Sequence, residues 1–173
     1  MLPEVKNFLR SKETLLTIKH QGRKQPGLSY TDYYSVISNA FTYICFQILR
    51  HFPCGEMKNS LYRLFGVKIG KEVLIGVDVM IDPFYPSQIS IMDGAAIGWG
   101  ARILAHESTM THFRIGKVTI GKKSMVGSFS TVRSGITIGN NATIAMCSFV
   151  NKDVPDNGFV GGVPARGIVK HKA

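Results

Sequence analysis

Aliphatic residues recur at every sixth position from residue 69 onward, and this spacing restricts the folds open to the chain. The step links Ile69, Ile75 and Ile81, then Ile91, Ile97 and Ile103, and finally Ile120, Val126, Val132, Ile138, Ile144 and Val150. An amphipathic helix would repeat its apolar face every three or four residues, and a half-buried strand would repeat it every two. A period of six instead predicts short strands joined by tight turns, with one inward aliphatic side chain in each strand.

Three such strands close a triangular coil of about 18 residues, and stacked coils form a parallel β-helix. Small residues follow many of the aliphatics, and glycine or asparagine tolerates the left-handed backbone angles of a tight corner. The segments "IGKK" and "IGNN" are two predicted corners of this kind. Counting the aliphatic steps gives four coils, at 69–86, 91–108, 120–136 and 138–155.

The repeat divides the chain into two predicted parts. Residues 1–66 lack the six-residue step and are expected to be mainly helical, whereas residues 67–173 are expected to form the β-helix. Residues 33–49 contain no charged side chain. This run is shorter than the roughly 20 apolar residues of a membrane span, so we expect a buried helix that docks on the β-helix or contacts another subunit. Peripheral membrane attachment through residues 33–52 is the alternative.

The repeat is interrupted twice between coils. Four extra residues lie around "YPSQ" after the first coil, and a longer break over about 104–119 is predicted to project as a loop after the second. The longer break contains His106, Glu107 and His112. Because a regular repeat needs no such break, we expect the function of the protein to reside there.

The net charge of the chain indicates the class of partner to expect, and its cysteines indicate the cellular compartment. The 21 Lys and Arg residues exceed the 11 Asp and Glu residues, and the formal net charge of +10 favours an anionic partner. The sequence has no basic stripe interleaved with aromatic residues, so nucleic acid is not an expected partner. Three cysteines without C-x-x-C spacing, after an N-terminus too charged for a signal peptide, predict a cytoplasmic protein. Cys147 is expected to pack among apolar residues.

Three further segments carry a resemblance to a known family. They are "ILAHE" at 103–107, "GEMKNSLYRLFGVKIGK" just before the first coil, and "NKDVPDNGFVGGVPAR" at 151–166. Together with the repeat they resemble the hexapeptide-repeat acyltransferases, and among these the maltose, galactoside and xenobiotic O-acetyltransferase group. The resemblance implies an all-β fold, a left-handed parallel β-helix with an N-terminal helical segment. It also implies a homotrimer with active sites in the grooves between neighbouring subunits.

The same resemblance implies transfer of an acetyl or other short acyl group from acyl-CoA to a hydroxyl of a sugar or related small polar acceptor. His106 corresponds to the general base of the similar enzymes, and histidine can accept and release a proton near neutral pH. Glu107 is expected either to orient this base or to hold the acceptor's hydroxyl. Asp82 stands where the sugar acetyltransferases carry an acceptor-binding Asn, and it is expected to hydrogen-bond either the acceptor or the imidazole. His112 is expected to be structural.

The acyl donor is assigned to a second set of residues by the resemblance. The backbone amide of Ser128 would stabilise the developing oxyanion, and Ala145 and Met146 would flank the pantetheine arm of acetyl-CoA. CoA is polyanionic, so basic side chains are suited to its phosphates. The candidates are Lys152, Arg166 and Lys170. No metal is expected.

Two other functions are compatible with the repeat. A zinc carbonic anhydrase needs three His ligands and an open water position, but only His106 and His112 lie in the repeat region. The remaining histidines, His20, His51 and His171, lie outside the coils. A catalytically inactive solenoid, acting as a scaffold or binding module, predicts an uninterrupted repeat, so the break around His106 favours an enzyme.

Overall fold

Four helices and one strand precede the repeat in the described part of the chain, which is residues 1–20 and 29–168 of the computed structural model. In chain order they are α1 (Pro3–Arg10), β1 (Leu15–Lys19), α2 (Tyr30–Tyr33), α3 (Val36–Leu49) and α4 (Glu56–Leu64). The helices lie where the sequence predicts a helical segment, whereas β1 has no counterpart in the prediction.

The repeat region consists of short strands. In chain order they are β2 (Lys68–Ile69), β3 (Leu74–Ile75), β4 (Met80–Ile81), β5 (Ile89–Ile91), β6 (Ala96–Ile97), β7 (Arg102–Ile103), β8 (His106–Ser108), β9 (His112–Gly116), β10 (Val118–Ile120), β11 (Met125–Val126), β12 (Thr131–Val132), β13 (Thr137–Ile138), β14 (Thr143–Ile144), β15 (Phe149–Val150), β16 (Phe159–Gly161) and β17 (Arg166–Gly167). Within the described residues these strands build three parallel faces of a β-helix. The first face is β2-β5-β10-β13, the second is β3-β6-β11-β14-β16 with β17 added antiparallel, and the third is β4-β7-β12-β15.

Each face stacks one column of aliphatic side chains in the interior. On the third face Ile81 pairs with Ile103, Ile103 with Val132, and Val132 with Val150. The first and second faces keep the corresponding register, and the inward-facing aliphatics of β3, β6, β11, β14 and the third face are at most 2% exposed. The four predicted coils are therefore confirmed, and burial of these columns provides the hydrophobic core.

Of the two predicted corners, "IGNN" has its left-handed backbone at an asparagine, as predicted, whereas "IGKK" has it at a lysine. Positive φ falls three positions after the aliphatic, at Lys123 (φ 51°) and Asn141 (φ 55°), and not on the glycine directly after it. Gly121 and Gly139 are required by close stacking instead, because a Cβ on Gly121 would lie 2.5 Å from the carbonyl carbon of Gly139. In each corner, one residue therefore makes the turn with a left-handed backbone, and a different residue, the glycine, lets the coils stack closely.

Cys147 also occupies a corner, with φ 57°, and its side chain is exposed. The prediction that it packs among apolar residues is therefore wrong. Its position, three residues after the inward-facing Ile144, turns the side chain outward, and the thiol is free, as are those of Cys45 and Cys54.

Both interruptions of the repeat leave the coil after the third face, at what we call the third corner. The first interruption follows β4 and ends in a short 3-10 turn at Pro86–Gln88. The second follows β7 and is a β-hairpin made of β8 and β9, to which β1 adds as an antiparallel third strand. The segment predicted as a loop at about 104–119 is therefore an ordered strand pair. The two interruptions lie one above the other in adjacent coils.

Polar contacts fix α3 and α4 beside the first coil. Lys58 is 1% exposed and donates from Nζ, at 2.8–3.3 Å, to the carbonyl oxygens of Arg50, Phe52 and Gly76. The Arg50 guanidinium also pairs with Asp78 of the first coil at 2.6 Å. The end of α3 is therefore held close to the third face.

Helix α3 buries only part of its surface. An apolar stripe along it is more than half exposed and consists of Ile37, Phe41, Ile44 and Ile48. The opposite side of α3 docks on the rest of the chain, as predicted, through Phe46 and Leu49, and contact of the exposed stripe with another subunit stays a prediction. Among the residues that the structure describes, no helix has the length and apolar character needed to cross a membrane.

Replacing Gly121 by Ala should lower the free energy of unfolding by about 1–3 kcal/mol, because the new Cβ would press on the backbone of the next coil. Gly167→Ala is the matched control, since no atom of the described residues lies within 4 Å of a Cβ built there. For this control we expect a change within about 0.5 kcal/mol. Urea denaturation measures both values, and equal stability of the two variants would contradict the stacking of the coils at Gly121.

Candidate active site

His106 and Asp82 form a hydrogen-bonded pair at the third corner. Asp82 directly follows β4 and His106 begins β8, so the register of Ile81 on Ile103 brings residues of adjacent coils together. Asp82 Oδ2 lies 2.5 Å from His106 Nδ1 and also accepts from the backbone N–H groups of Ala105 and His106, each at 2.9 Å. The Asp82 side chain is 1% exposed. Of the two partners expected for this residue, the imidazole is the one present.

The surroundings of Asp82 set the tautomer of His106. The second carboxylate oxygen, Oδ1, accepts from the N–H of Phe84 at 2.9 Å, so the carboxylate meets donors on both oxygens. Because a carboxylate can only accept, the imidazole proton must lie on Nδ1. Nε2 therefore keeps its lone pair and is the nitrogen able to accept a proton.

Four aromatic rings of the described residues surround the His106 imidazole, with ring centroids 5.3–5.9 Å away. They are Tyr34 from the N-terminal part, Phe84 and Tyr85 from the first interruption, and Phe113 from the hairpin. Burial, and to a smaller extent nearby negative charge, raises the pKa of Tyr34 above its ordinary value, so its phenol stays protonated. Three separate segments of the chain thus enclose one side chain.

Glu107 points away from the imidazole because successive side chains of a strand alternate between its two faces. Its carboxylate accepts from Arg133 Nε at 2.8 and 2.9 Å and from Ser134 Oγ at 2.6 Å. These bonds join β8 to the corner that follows β12. Glu107 therefore holds the hairpin against the third coil and does not contact the His106 ring.

Arg133 belongs to this site, although the sequence reasoning did not single it out. It follows Val132 as Asp82 follows Ile81, so both residues occupy the same step of the third face, two coils apart. The sequence signal for Arg133 is that a charged residue directly follows the third aliphatic of its coil, as Asp82 does in the first coil. Burial lowers the pKa of the neighbouring Arg114, and the positive charge of Arg133 adds to this effect.

The residues predicted to bind the acyl donor lie at another corner, between the second and third faces. Ser128 and Met146 are stacked there in successive coils, since the N–H of Cys147 donates to the Ser128 carbonyl at 2.9 Å. The Ser128 N–H itself donates to no acceptor among residues 1–20 and 29–168. Ala145 is half-buried and Met146 is exposed beside it.

This donor corner and His106 lie at opposite edges of the third face. Ser128 precedes β12, whereas the hairpin with His106 leaves after β7 on the far side of the same sheet. One chain therefore does not bring Ser128 and His106 together. The donor corner is also apolar, because the rings of Trp99 and Phe129 lie there, 5.8 Å apart.

Lys152 and Arg166 line one cavity at the C-terminal end of the β-helix. Both side chains are exposed, and the same cavity includes Asn151, whose buried Oδ1 has no hydrogen-bond partner among the described residues. The structure thus brings together two of the three predicted phosphate partners. Lys170, the third, lies outside the described residues.

His112 lies at the exposed tip of the hairpin, with Nδ1 2.8 Å from the hydroxyl of Thr111. It pairs across the sheet with Lys19, whereas His106 pairs with Ile115, three positions further along β9. Within residues 1–20 and 29–168, no three His, Cys, Asp or Glu side chains are grouped so that they could hold a metal ion.

A three-sided parallel β-helix with a His–Asp pair at an interrupted corner defines the class of hexapeptide-repeat transferases. Residues 117–152 match the family described as bacterial transferase hexapeptide (six repeats). The YvoF protein of Bacillus subtilis (strain 168), an acetyltransferase by its assigned name, is 43% identical over 125 residues, or 72% of this chain and 73% of that protein. The chain therefore belongs to the hexapeptide-repeat acetyltransferases.

Two solved structures share the fold. The hexapeptide-repeat acetyltransferase VCA0836 of Vibrio cholerae, complexed with acetyl-CoA, has a TM-score of 0.59 and 19% identity over 80% of this chain and 90% of that chain. A maltose O-acetyltransferase from Clostridium difficile 630 has a TM-score of 0.56 and 19% identity over 82% of this chain and 92% of that chain. The coil is thus the left-handed parallel β-helix that the sequence resemblance implied.

The tautomer of His106 can be observed directly. At neutral pH we expect nitrogen-15 NMR of the imidazole to show the proton on Nδ1, because Asp82 is positioned to accept it. His112 is the internal control, since its exposed ring should show averaging between tautomers. A proton residing on Nε2 of His106 would contradict the geometry of the pair.

Proposed function

We propose that the protein is a CoA-dependent O-acyltransferase in which His106 is the general base towards a hydroxyl of a sugar or related small polar acceptor. The observation that carries this proposal is the Asp82–His106 pair, because it fixes the ring and leaves Nε2 able to accept a proton. Acyl transfer is supported by the acetyltransferase names of the relatives and by the acetyl-CoA in the Vibrio cholerae structure. A solenoid that serves only as a scaffold could use the Asp82 carboxylate to hold its two interruptions together, but it has no need of an imidazole with an available Nε2.

In the proposed reaction, His106 Nε2 takes the hydroxyl proton as the acceptor oxygen attacks the thioester carbonyl carbon. The C–O bond forms, the C–S bond breaks, and the imidazolium gives the proton to the leaving sulfur, so the products are an ester and CoA. Transfer is direct, without an acyl-enzyme. Asp82 stabilises the positive charge that develops on the ring. Glu107 is a positioning residue that acts through its bonds to Arg133 and Ser134.

For the acyl donor, we propose that the Ser128 N–H stabilises the negative charge that develops on the thioester oxygen, and that Ala145 and Met146 flank the pantetheine arm. An N–H without a described acceptor is suited to this role, because it is held in place by the backbone and no existing hydrogen bond has to break before it binds the oxygen. Lys152 and Arg166 are the proposed partners of the CoA phosphates.

The distance between the two corners makes a homotrimer part of the proposal. Since Ser128 and His106 lie at opposite edges of the third face, the groups for donor and acceptor meet only if neighbouring subunits each supply one. The donor corner offers an apolar surface for such a contact, at least half exposed, formed by Trp99, Met125, Phe129 and Met146. Three free cysteines support the further proposal of a cytoplasmic location.

Replacing His106 by Ala should lower kcat by a factor on the order of 10²–10⁴, the usual contribution of a general base. Thiol release from acetyl-CoA, measured across a panel of sugars and amino sugars, reports turnover. The variant should keep acetyl-CoA binding by calorimetry and its mass by light scattering. Wild-type turnover by the variant would overturn the role of His106, and a wild-type protein that binds no acetyl-CoA would favour the scaffold.

Asp82→Asn should lower kcat by a factor on the order of 10²–10⁴, because the carboxylate charge that stabilises the imidazolium is lost. Glu107→Gln is the comparison within the same site. It keeps an acceptor for Ser134 and leaves Asp82 in place, so we expect a loss of less than about tenfold. A larger loss for Glu107→Gln than for Asp82→Asn would reverse the roles assigned to these carboxylates.

A further inference from the structure

A pocket lies between α3 and the first coil and opens beside His106. Its empty space is about 470 Å³ and is partly open to solvent. Its apolar wall consists of Tyr43 and Phe46 from α3, Val79 from the first coil, Phe84 from the first interruption and Leu104 from the second coil. The imidazole of the proposed base is part of the same lining.

The two charged side chains of this pocket, Asp82 and Arg50, already have hydrogen-bond partners within the protein. Asp82 is saturated by backbone N–H groups and the imidazole. Arg50 donates to Asp78 at 2.8 Å and to the Gln47 oxygen at 3.2 Å. Because most of the lining is aromatic or aliphatic, a sugar buried here would place several of its hydroxyls against surface that offers them no hydrogen bond, which disfavours binding.

The apolar wall continues from the imidazole towards solvent. The Phe84 ring stands perpendicular to the His106 ring at 5.3 Å, and the Tyr43 ring stacks on Phe84 at 6.2 Å with an interplanar angle of 17°. Tyr43 is 45% exposed. A molecule whose hydroxyl meets Nε2 would therefore have its adjoining atoms laid along aromatic surface.

We propose that the acceptor is an amphiphilic alcohol, with a hydroxyl-bearing polar head at His106 and an alkyl or aryl group in the pocket of Tyr43, Phe46 and Phe84. This inference rests on the proposed acyl transfer and narrows its acceptor. The polar head stays near the open mouth, where water can satisfy its other hydroxyls. The alkyl or aryl group supplies most of the binding, because it is the part removed from water.

The probes are methyl, butyl, hexyl and octyl β-glucosides, used below their micelle concentrations with acetyl-CoA and the full chain. We expect kcat/KM to rise about fourfold per methylene while the chain lies within the pocket, and then to level off. Equal kcat/KM for the methyl and hexyl compounds would overturn the inference and leave the proposed acyl transfer standing. Turnover of none of them, with acetyl-CoA bound, would also overturn it. Absence of acetyl-CoA binding would instead remove the proposed function itself.

Two aromatic residues of α3 allow a matched comparison of variants. Tyr43→Ser removes part of the pocket wall, and it should lower the hexyl-to-methyl ratio of kcat/KM at least about tenfold. Phe41→Ser removes an exposed aromatic that is not part of the pocket lining, so the ratio should stay at the wild-type value. An unchanged ratio in Tyr43→Ser, or an equal fall in both variants, would contradict the placement of the apolar group.

Discussion

The inward stacking of one aliphatic side chain per six residues is the constraint on which the rest of the structure depends. Because it fixes the register of the faces, the residues directly after the third aliphatic of each coil form a column. This column consists of Asp82, Leu104, Arg133 and Asn151. Two interruptions in adjacent coils therefore emerge at one corner, and their polar residues meet without being close in sequence. A slip of one residue in either coil would turn these side chains to the other face.

The Asp82 carboxylate links this architecture to the chemistry of the site. Burying a carboxylate is costly unless donors replace the lost water, and three backbone N–H groups and an imidazole N–H do so at this position. One donor comes from the first interruption and the others from the second, so the Asp82 carboxylate holds the two interruptions together. Asn would be a poor replacement because its amide NH₂ would face other donors. The Asp at this position thus has a structural reason, apart from the role proposed for it in the reaction.

Much of the fold and part of the site could be predicted from the sequence. The four coils, the N-terminal helices and the interruption that carries His106 follow from local spacing, which one chain displays directly. The three-stranded sheet of the projecting segment does not, because its third strand, β1, lies about 100 residues away in the sequence. The sequence also does not determine the role of Glu107. Adjacency to His106 suggested contact, whereas strand alternation turns Glu107 towards Arg133, a residue that only the register of the coils brings near.

The pairing of β1 with β9 has a consequence for the order in which the molecule is assembled. Each coil of the β-helix contacts only its neighbours, so the stack can grow step by step from local contacts. The hairpin that carries His106 is different, because its strand β9 also pairs with β1, which is residues 15–19 near the beginning of the chain. Closing a loop of that length is slow compared with adding a coil. The β-helix can therefore be finished while the corner with His106 is still incomplete, and the N-terminal segment makes the last contact at that corner.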